Sequence, residues 1–408
     1  MDSELAIDSK SYIYNVMEKL KSFSFGSYKK FGSMETLRIK PVTILIGKNS
    51  SGKSSIAKLL PMLAVAMDGE SLTPIQYSNM GASLGNIYSD LCHNHSSVGL
   101  SFGLGYEDDF SFDIELISPD MGKDIEVSKI RINSLPKSYT SENSITVVDE
   151  TIALNPQKSC RGFITPIKSV LPELEVDKYR ISVDYIGPFR KIPERFFTSD
   201  ANRANGRIGY FGENAYDCLT FNPVLERSVS DWFMDAFGRG VKMKEVCKGL
   251  HSLMLASPDE ENTAAEVNIV DEGQGMHQVL PIVVKALQKS DVNDIIVVEQ
   301  PELHLHPAAH ASLGELFASS AIDNNHSFVI ETHSENLLLG LRKAVVDKSI
   351  KFTADDVVIY FVDYDEGEES AYLSPITIDE MGNLSDWPDG VFNESFELLM
   401  DLKKLAAK

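Results

Sequence analysis

The sequence is poor in residues that could cross-link the chain, and it has no long apolar run. Its four cysteines (Cys92, Cys160, Cys218 and Cys247) are scattered over 408 residues without CxxC spacing, a distribution that fits neither a disulfide framework nor a zinc site. No apolar segment approaches the ~20 residues needed to cross a bilayer. The first residues also lack the apolar core of a signal peptide. We therefore expect a cytoplasmic protein with no membrane association.

Basic residues are also scarce. The chain has 38 Lys and Arg against 60 Asp and Glu, a formal charge of −22, which argues against a protein whose whole surface binds nucleic acid. Half of this charge lies in residues 352–408, where 14 acidic and 3 basic side chains give −11. By contrast, the segment 185–209 is basic, and its side chains either contact phosphates or form a solvated face. Its basic residues are Arg190, Lys191, Arg195, Arg203 and Arg207.

The stretch GKNSSGKS, from Gly47 to Ser54, fits the pattern G-x-x-x-x-G-K-[ST] and lies between a predicted strand and a predicted helix, the context that this motif requires. Backbone N–H groups of such a loop surround a β-phosphate. The lysine, Lys53, neutralises phosphate oxygens, and the hydroxyl of Ser54 binds Mg²⁺. We therefore predict a site for ATP and Mg²⁺. Its predicted loop residues are Gly47, Asn49, Ser50, Ser51, Gly52, Lys53, Ser54 and Ser55.

Two later apolar runs bring polar side chains to the same predicted site. IIVVE ends in Glu299, and FVIETH ends in His333; open α/β sheets bind ligands at the carboxyl ends of such strands. We expect Glu299 to hold Mg²⁺ together with Ser54, directly or through water. We expect His333 to hydrogen-bond the γ-phosphate.

A glycine-rich turn, DEGQGMHQ, precedes a predicted helix and contains Gly273, Gly275 and Gln278. A helix N-terminus is an anion receptor. Because the nucleotide already has its own loop, we expect this turn to close on the nucleotide of a second subunit, which predicts a homodimer or a higher homo-oligomer. A plain helix-capping turn is the alternative.

Gln300 occupies the position where an ATPase of this layout would have a catalytic glutamate. Three interpretations remain open. In the first, Glu302, beyond Pro301, is the base. In the second, Gln300 and His333 only orient the water, as a glutamine does in small GTPases. In the third, the protein binds ATP structurally and hardly hydrolyses it. The second predicts slow hydrolysis, and the first two both predict a timer or sensor rather than a motor.

Strand-like and helical patterns alternate in two separate parts of the chain, which predicts an α/β fold with a parallel sheet split by an insertion. From about 98 to 155 the alternation of apolar and polar residues is typical of antiparallel strands. We divide the chain into the first half of the nucleotide-binding head (1–97), a β-rich segment (98–160), a mixed and helical insertion (161–264), the second half of the head (265–365) and an acidic tail (366–408).

The ordered set GKNSSGKSS, GQGMHQ, EQPELHLHP and ETHSE resembles the ABC-type ATPases of the RecF/SMC/OLD-nuclease-like group, commonly placed in the AAA family. YIGPFRKIPERFF, GYFGENAYDCL and ITIDEMGNLSDWPDGVFNESFELL resemble a prokaryotic subgroup with a short uncharacterised C-terminal domain. That subgroup recurs among anti-phage defence ATPases such as the Septu and retron-associated ones. The resemblance implies an ABC-type ATPase head with a mixed parallel sheet, a β-rich antiparallel subdomain and a helical insertion.

The resemblance also implies roles for individual residues. Lys53 and Ser54 take the phosphate-loop roles, Glu299 the Mg²⁺ role and His333 the role of switch histidine. Residues 273–278 take the role of the signature motif. His277 departs from the subgroup, whose members often carry serine there, and this weakens the expected contact with a partner's γ-phosphate.

We therefore expect a slowly hydrolysing ATPase that acts as sensor and scaffold of a prokaryotic anti-phage defence complex. Only 75 residues follow His333, without a recognisable nuclease arrangement, so we expect a separate effector protein, a nuclease. The acidic tail is a candidate docking surface for such a basic partner. The alternative is a RecF/SMC-like DNA-binding ATPase of repair or recombination, which would bind DNA through the basic residues of 190–207.

Overall fold

The computed structural model describes residues 17–95, 99–119, 125–136, 160–204, 206–256, 266–386 and 402–405. In chain order the strands are β1 (Leu20–Gly26), β2 (Glu35–Arg38), β3 (Val42–Ile46), β4 (Ser78–Asn79), β5 (Ala82–Ser83), β6 (Leu100–Tyr106), β7 (Ser111–Ile117), β8 (Glu126–Ser134), β9 (Val183–Ile186), β10 (Phe197–Thr198), β11 (Gly240–Cys247), β12 (Leu250–Ala256), β13 (Val267–Asn268), β14 (Asp294–Glu299), β15 (His326–Glu331), β16 (Val357–Asp365) and β17 (Ser370–Ile376).

The α-helices are α1 (Lys53–Ala66), α2 (Tyr88–Leu91), α3 (Ile164–Val170), α4 (Ala201–Ala204), α5 (Ala215–Phe221), α6 (Pro223–Phe237), α7 (Gln274–Leu287), α8 (Pro307–Asp323) and α9 (Glu335–Val346). Short 3-10 turns lie at His93–His95, Val176–Tyr179, Ile269–Asp271 and Ala354–Asp356. Within the described ranges, every helix is too short or too polar to span a bilayer.

The main sheet has six strands in the order β17-β16-β3-β15-β14-β9. All are parallel except β17, which pairs antiparallel with β16 at one edge. Every residue of β3 and of β15 is buried, as expected for central strands covered by helices on both faces. This order brings the carboxyl ends of β3, β15 and β14 together.

Successive residues of the central strands enter two different cores. On one face, Leu45 and Val329 pack with α1 and the antiparallel sheet. On the other face, Ile44 and Ile330 pack with α7, α8 and α9. Helix α1 contacts β14, β15 and β9, whereas α8 contacts β15 and β3. The continuous apolar runs of these strands are therefore explained by burial on both sides of the sheet.

The antiparallel sheet has the order β2-β1-β6-β7-β8. Its strands β6, β7 and β8 lie in the segment 98–160, for which we predicted antiparallel strands. Its strands β1 and β2 come from residues that we assigned to the first half of the head, so the predicted boundary at 97/98 divides one sheet. Residues 137–159 of the predicted segment lie outside the described part of the chain.

The insertion that we predicted at 161–264 also shares strands with its surroundings. It contributes helices α3 to α6 and the strands β10, β11 and β12 of a small sheet, whose remaining strand, β13, comes from the predicted second half of the head (265–365). However, its strand β9 is an edge strand of the main sheet, beside β14. In the same way, β17 of the predicted acidic tail (366–408) forms the opposite edge of that sheet. The described residues of both segments therefore share the main sheet with the head.

A buried polar network lies at the amino end of the main sheet. Lys285 of α7 places its Nζ 3.1 Å from Asp294 Oδ2 and 3.5 Å from Asp184 Oδ2. The ring Nε2 of His326 lies 2.7 Å from the carbonyl oxygen of Gln288. Burial, and next the charge of Lys285, lower the pKa of His326 to about 4. The imidazole is therefore neutral in the folded protein at physiological pH.

We expect His326 to make the protein sensitive to acid. Its pKa is about 4 when folded and about 6.5 when unfolded, so the unfolded chain binds the proton more readily between these values. The stabilisation by the neutral ring is complete above pH ~6.5 and is lost as the pH falls towards ~4, in total ~3 kcal/mol. His326→Gln should show a shallower fall in the free energy of unfolding over this range, measured by urea denaturation.

His95→Gln is the matched control because His95 is exposed, and it should keep the wild-type slope. The same pH dependence in the wild type and in His326→Gln would contradict the prediction.

Candidate nucleotide site

The phosphate loop connects β3 to α1 in a conformation that requires two glycines. Gly47 has φ 147° and Gly52 has φ 119°, in the region that side-chain-bearing residues rarely adopt. A Cβ on Gly47 would lie 2.3 Å from the carbonyl oxygen of Val362, and one on Gly52 would lie 3.0 Å from the ring of Phe31. Both glycines are thus needed for the loop to turn closely against its neighbours.

The polar groups of the loop fit an anion. Helix α1 begins at Lys53 with no side-chain capping hydrogen bond, so its N-terminal dipole is available to a phosphate. The Oγ of Ser51 is buried without a hydrogen-bond partner among the described residues. Lys53 Nζ donates to the carbonyl oxygens of Gly47 (2.9 Å) and Lys48 (2.8 Å), and burial lowers the pKa of Lys53. The remaining predicted loop residues, Asn49, Ser50 and Ser55, lie in the same turn and the first turn of α1.

Two buried glutamates face the loop from neighbouring strands. Glu299 ends β14 and Glu331 ends β15, where they are partners in the parallel register. Tyr185 donates its hydroxyl to Glu299 Oε1, and a hydrogen bond from the side chain of Ser54 lowers the pKa of Glu331. Burial acts in the opposite direction and is the largest effect, so both carboxyl groups have raised pKa values.

Our reading of the sequence overlooked Glu331. The signal was present, because SFVIE ends an apolar run with an acid in the same way as IIVVE does. We had assigned the functional residues of this strand to the positions after it. The register of β14 with β15, which the sequence alone does not reveal, makes Glu331 a direct neighbour of Glu299.

The turn after β14 brings Glu302 to His333. Glu302 Oε1 accepts a hydrogen bond from the main-chain N–H of His333 at 2.7 Å, and its Oε2 is buried without a partner in the described structure. Gln300 has φ 46°, and its N–H donates to the carbonyl oxygen of Glu331 at 2.8 Å. His333 is exposed; its pKa is lowered, first by desolvation and then by the charge of Lys53.

Arg190 occupies a different position from the one we predicted. It is 4% exposed, and its guanidinium donates to the carbonyl oxygens of Glu299 (2.6 Å) and Gln300 (3.1 Å). These carbonyls lie where the chain leaves the sheet and the strand ladder no longer provides donors. Arg190 therefore fixes the turn of the nucleotide site, and the expectation that it contacts nucleic acid is wrong.

Gln278 is also turned inwards. Its side-chain amide accepts from the N–H of Arg190 and donates to the carbonyl oxygen of the same residue, each at 3.2 Å, and Gln278 is 8% exposed. The Gln278 side chain therefore faces its own chain, while the predicted contact of the turn with a second subunit stays a prediction. Gln278 holds Arg190 in place within its own chain.

Most of the other basic side chains of 185–209 are neutralised by acids of the same chain. Three of them form ion pairs: Lys191 with Glu194 (2.8 Å), Arg195 with Asp271 (2.9 Å) and Arg203 with Asp217 (3.3 Å). Arg207 is exposed. The segment therefore offers much less free positive charge than its sequence indicated.

The predicted glycine turn is the N-terminus of α7, which begins at Gln274 and therefore includes Gly275 and Gln278. This N-terminus is partly open. A Cβ on Gly273, the N-cap residue, would meet nothing within 4 Å, whereas one on Gly275 would lie 2.7 Å from the carbonyl oxygen of His304. The turn thus packs against the loop that follows Glu299. His277 is buried, and desolvation lowers its pKa. Contact of the open side, at Gly273, with a second subunit stays a prediction.

Comparisons with known proteins agree with this architecture. The sequence model of the AAA ATPase domain family matches residues 198–338, and that of a protein family of unknown function, DUF3696, matches residues 352–402. None of the curated proteins matches the chain in sequence.

Two solved structures share the fold at low sequence identity. An SMC head bound to the C-winged helix domain of ScpA is 12% identical with a TM-score of 0.51, over 89% of this chain and 98% of that chain. An SMC head with an extended coiled coil, bound to the C-terminal domain of ScpA and derived from Pyrococcus furiosus, is 12% identical with a TM-score of 0.50, over 95% and 100%. The predicted fold class, an ABC-type ATPase head with a mixed sheet and an antiparallel sheet, is confirmed.

Arg190→Lys tests the role of the buried guanidinium. A lysine ammonium cannot reproduce the two forked hydrogen bonds, so the turn carrying Gln300 and Glu302 should lose its position. We expect ATP turnover to fall by about 10- to 100-fold and ATP affinity to change little, since the phosphate loop is untouched. Phosphate release and calorimetric titration measure the two quantities.

Arg207→Lys, at an exposed position in the same segment, should leave both quantities at wild-type values. Wild-type turnover in Arg190→Lys would show that the turn is held without the guanidinium fork.

Proposed function

We propose that the protein is an ABC-type ATPase that binds ATP with Mg²⁺, dimerises around the nucleotide and hydrolyses it slowly to control a separate effector. One observation carries the proposal. Three segments that are distant in sequence lie together at the carboxyl ends of adjacent parallel strands. They are the phosphate loop, the turn with Glu299 and Glu302, and His333. This is the edge at which α/β sheets bind nucleotides.

Each part of the site has a role in this proposal. The N-terminus of α1 and Lys53 hold the triphosphate, and Ser54 and Glu299 are oxygen donors suited to Mg²⁺. When bound, Mg²⁺ neutralises charge that develops on the phosphate oxygens. His333, exposed beside the loop and kept neutral by its lowered pKa, is positioned to hydrogen-bond the terminal phosphate.

Glu302 is the side chain best placed to accept the proton of the attacking water. One of its oxygens is held by the main chain of His333, and the other is buried without a partner in the described structure. A carboxamide at position 300 cannot accept a proton. We expect a low turnover from a base that lies two residues beyond the usual position.

We expect Glu302→Gln to lower ATP turnover by about 100-fold or more, because it removes the general base. ATP affinity should stay at the wild-type value, since the phosphate loop is unchanged. Steady-state phosphate release and equilibrium ATP binding measure these two quantities.

Glu335→Gln provides the matched control, since Glu335 is exposed at the start of α9. If ATP turnover is unchanged in Glu302→Gln but is lost in Gln300→Ala, the results favour the interpretation in which Gln300 and His333 only orient the water.

The dimer and the effector are supported by surface features. The N-terminus of α7 is open at Gly273, so it is accessible to a nucleotide bound by a second subunit. The hairpin between β16 and β17 exposes Asp365, Glu366, Glu368 and Glu369, a surface that complements a basic partner.

The role in anti-phage defence is proposed from the sequence resemblance. It requires that Lys53→Ala abolish the protection that the intact locus gives to bacteria challenged with phage.

The alternative function, a DNA-binding ATPase of the RecF/SMC kind, is favoured by the SMC-head fold. It is opposed by the ion pairs and the burial that occupy most of the basic segment. We therefore expect the isolated protein to show no ATP-dependent binding of duplex DNA at physiological ionic strength, measured by fluorescence anisotropy.

Binding that strengthens with ATP and falls steeply with salt would support the DNA-binding alternative. Loss of that binding in Arg207→Ala would then locate it on the basic segment.

A further inference from the structure

Glu331 has no role in the mechanism proposed above, yet it lies at the centre of the site. It ends β15, the strand between the phosphate-loop strand β3 and the Glu299 strand β14. The residue is 4% exposed, and its Oε2 is buried without a hydrogen-bond partner in the described ranges. Its carboxylate lies beside the side chain of Ser54, the residue expected to bind Mg²⁺.

The charge of Glu331 is not balanced by a direct ion pair. The nearby Lys53 donates its Nζ to two main-chain carbonyls of the loop. Lys58, one turn along α1, acts on Glu331 and Glu299 only through its charge. Among the ion pairs of the described residues, none joins either lysine to either glutamate. A buried carboxylate oxygen without a partner is costly, and a bound ion, an ordered water or a catalytic role accounts for such groups in native proteins.

We infer that Glu331 is a second carboxylate ligand for the divalent cation that accompanies ATP, alongside Ser54 and Glu299. The inference rests on the proposed function, because it assumes that ATP binds in the phosphate loop. Mg²⁺ is bound by hard oxygen ligands, commonly one or two carboxylates together with substrate phosphates. Glu331 supplies the second carboxylate from the strand adjacent to Glu299.

Glu331 should affect ATP binding in opposite directions with and without the cation. With the cation present, both carboxylates contribute to its binding, so ATP and the cation bind tightly together. With the cation removed, two buried negative charges repel the triphosphate, so ATP binds poorly. Glu331 therefore makes nucleotide binding conditional on the cation, which a purely structural glutamate would not do.

The experiment measures ATP affinity by calorimetry over a series of free Mg²⁺ concentrations, including EDTA alone. In Glu331→Gln we expect the half-saturating Mg²⁺ concentration to rise by about 10-fold or more, whereas ATP affinity in EDTA stays equal or becomes tighter. Glu331→Asp keeps the charge on a shorter side chain, so its half-saturating Mg²⁺ concentration should lie between those of the wild type and Glu331→Gln. Glu335→Gln, the exposed control, should follow the wild type.

Thermal unfolding of the nucleotide-free protein gives a readout that is independent of ATP. Because the substituted carboxamide carries no buried charge, the Glu331→Gln variant should unfold at a higher temperature than the wild type, and Mg²⁺ with ATP should raise its midpoint by less. A lower midpoint without nucleotide would show that Glu331 is a structural residue and would overturn the inference.

The results separate the two proposals. If the wild type binds ATP in a Mg²⁺-dependent manner and Glu331→Gln has the same half-saturating Mg²⁺ concentration, the inference about Glu331 is wrong and the proposed function stands. If the wild type binds no ATP at any Mg²⁺ concentration, the proposed function itself fails. If Glu331→Gln does not fold, the Mg²⁺ dependence of Glu331→Asp decides the question.

Discussion

The parallel register of β3, β15 and β14 is the constraint on which the site depends. It places the phosphate loop, Glu331 and Glu299 at the carboxyl ends of these central strands, although Gly47 and Glu331 are separated by most of the chain. The register is specified by burial on both faces, because every residue of β3 and β15 is buried and a slip would exchange the residues of the two cores. The hydrophobic core thus fixes the positions of groups that are themselves polar and costly to bury.

The insertion contributes to the site as much as the two halves of the head do. Its strand β9 adds Tyr185, which hydrogen-bonds Glu299, and the following loop adds Arg190, which binds the carbonyls of Glu299 and Gln300. Gln278 of α7 in turn holds the main chain of Arg190. A displacement of the insertion would therefore move the turn that carries Glu302.

The sequence was sufficient for features that depend on local geometry. The phosphate loop was predictable because the φ values of Gly47 and Gly52 and the following helix are properties of one short segment. The positions of Arg190 and Glu331 were not predictable from the sequence, because they depend on contacts between elements that are distant in the chain. In the sequence, Arg190 belongs to a basic segment and so indicated an exposed phosphate-binding face. Only the fold shows that it donates to the main-chain carbonyls of Glu299 and Gln300. The ion pairs of Arg195 and Arg203 were hidden for the same reason, since their partners, Asp271 and Asp217, lie on other elements.

The turn after β14 gives a physical reason for the neutral residue at position 300. Gln300 adopts φ 46° immediately before Pro301, a conformation that costs ~1–3 kcal/mol for a residue with a side chain. It is held there by its N–H bond to β15 and by Arg190 at its carbonyl. The turn directs the chain back so that Glu302 reaches the main chain of His333. A glutamate at position 300 would add a fourth carboxylate to Glu299, Glu331 and Glu302, in a region where burial already raises the pKa of the first two. The carboxamide therefore adds no further charge to this region.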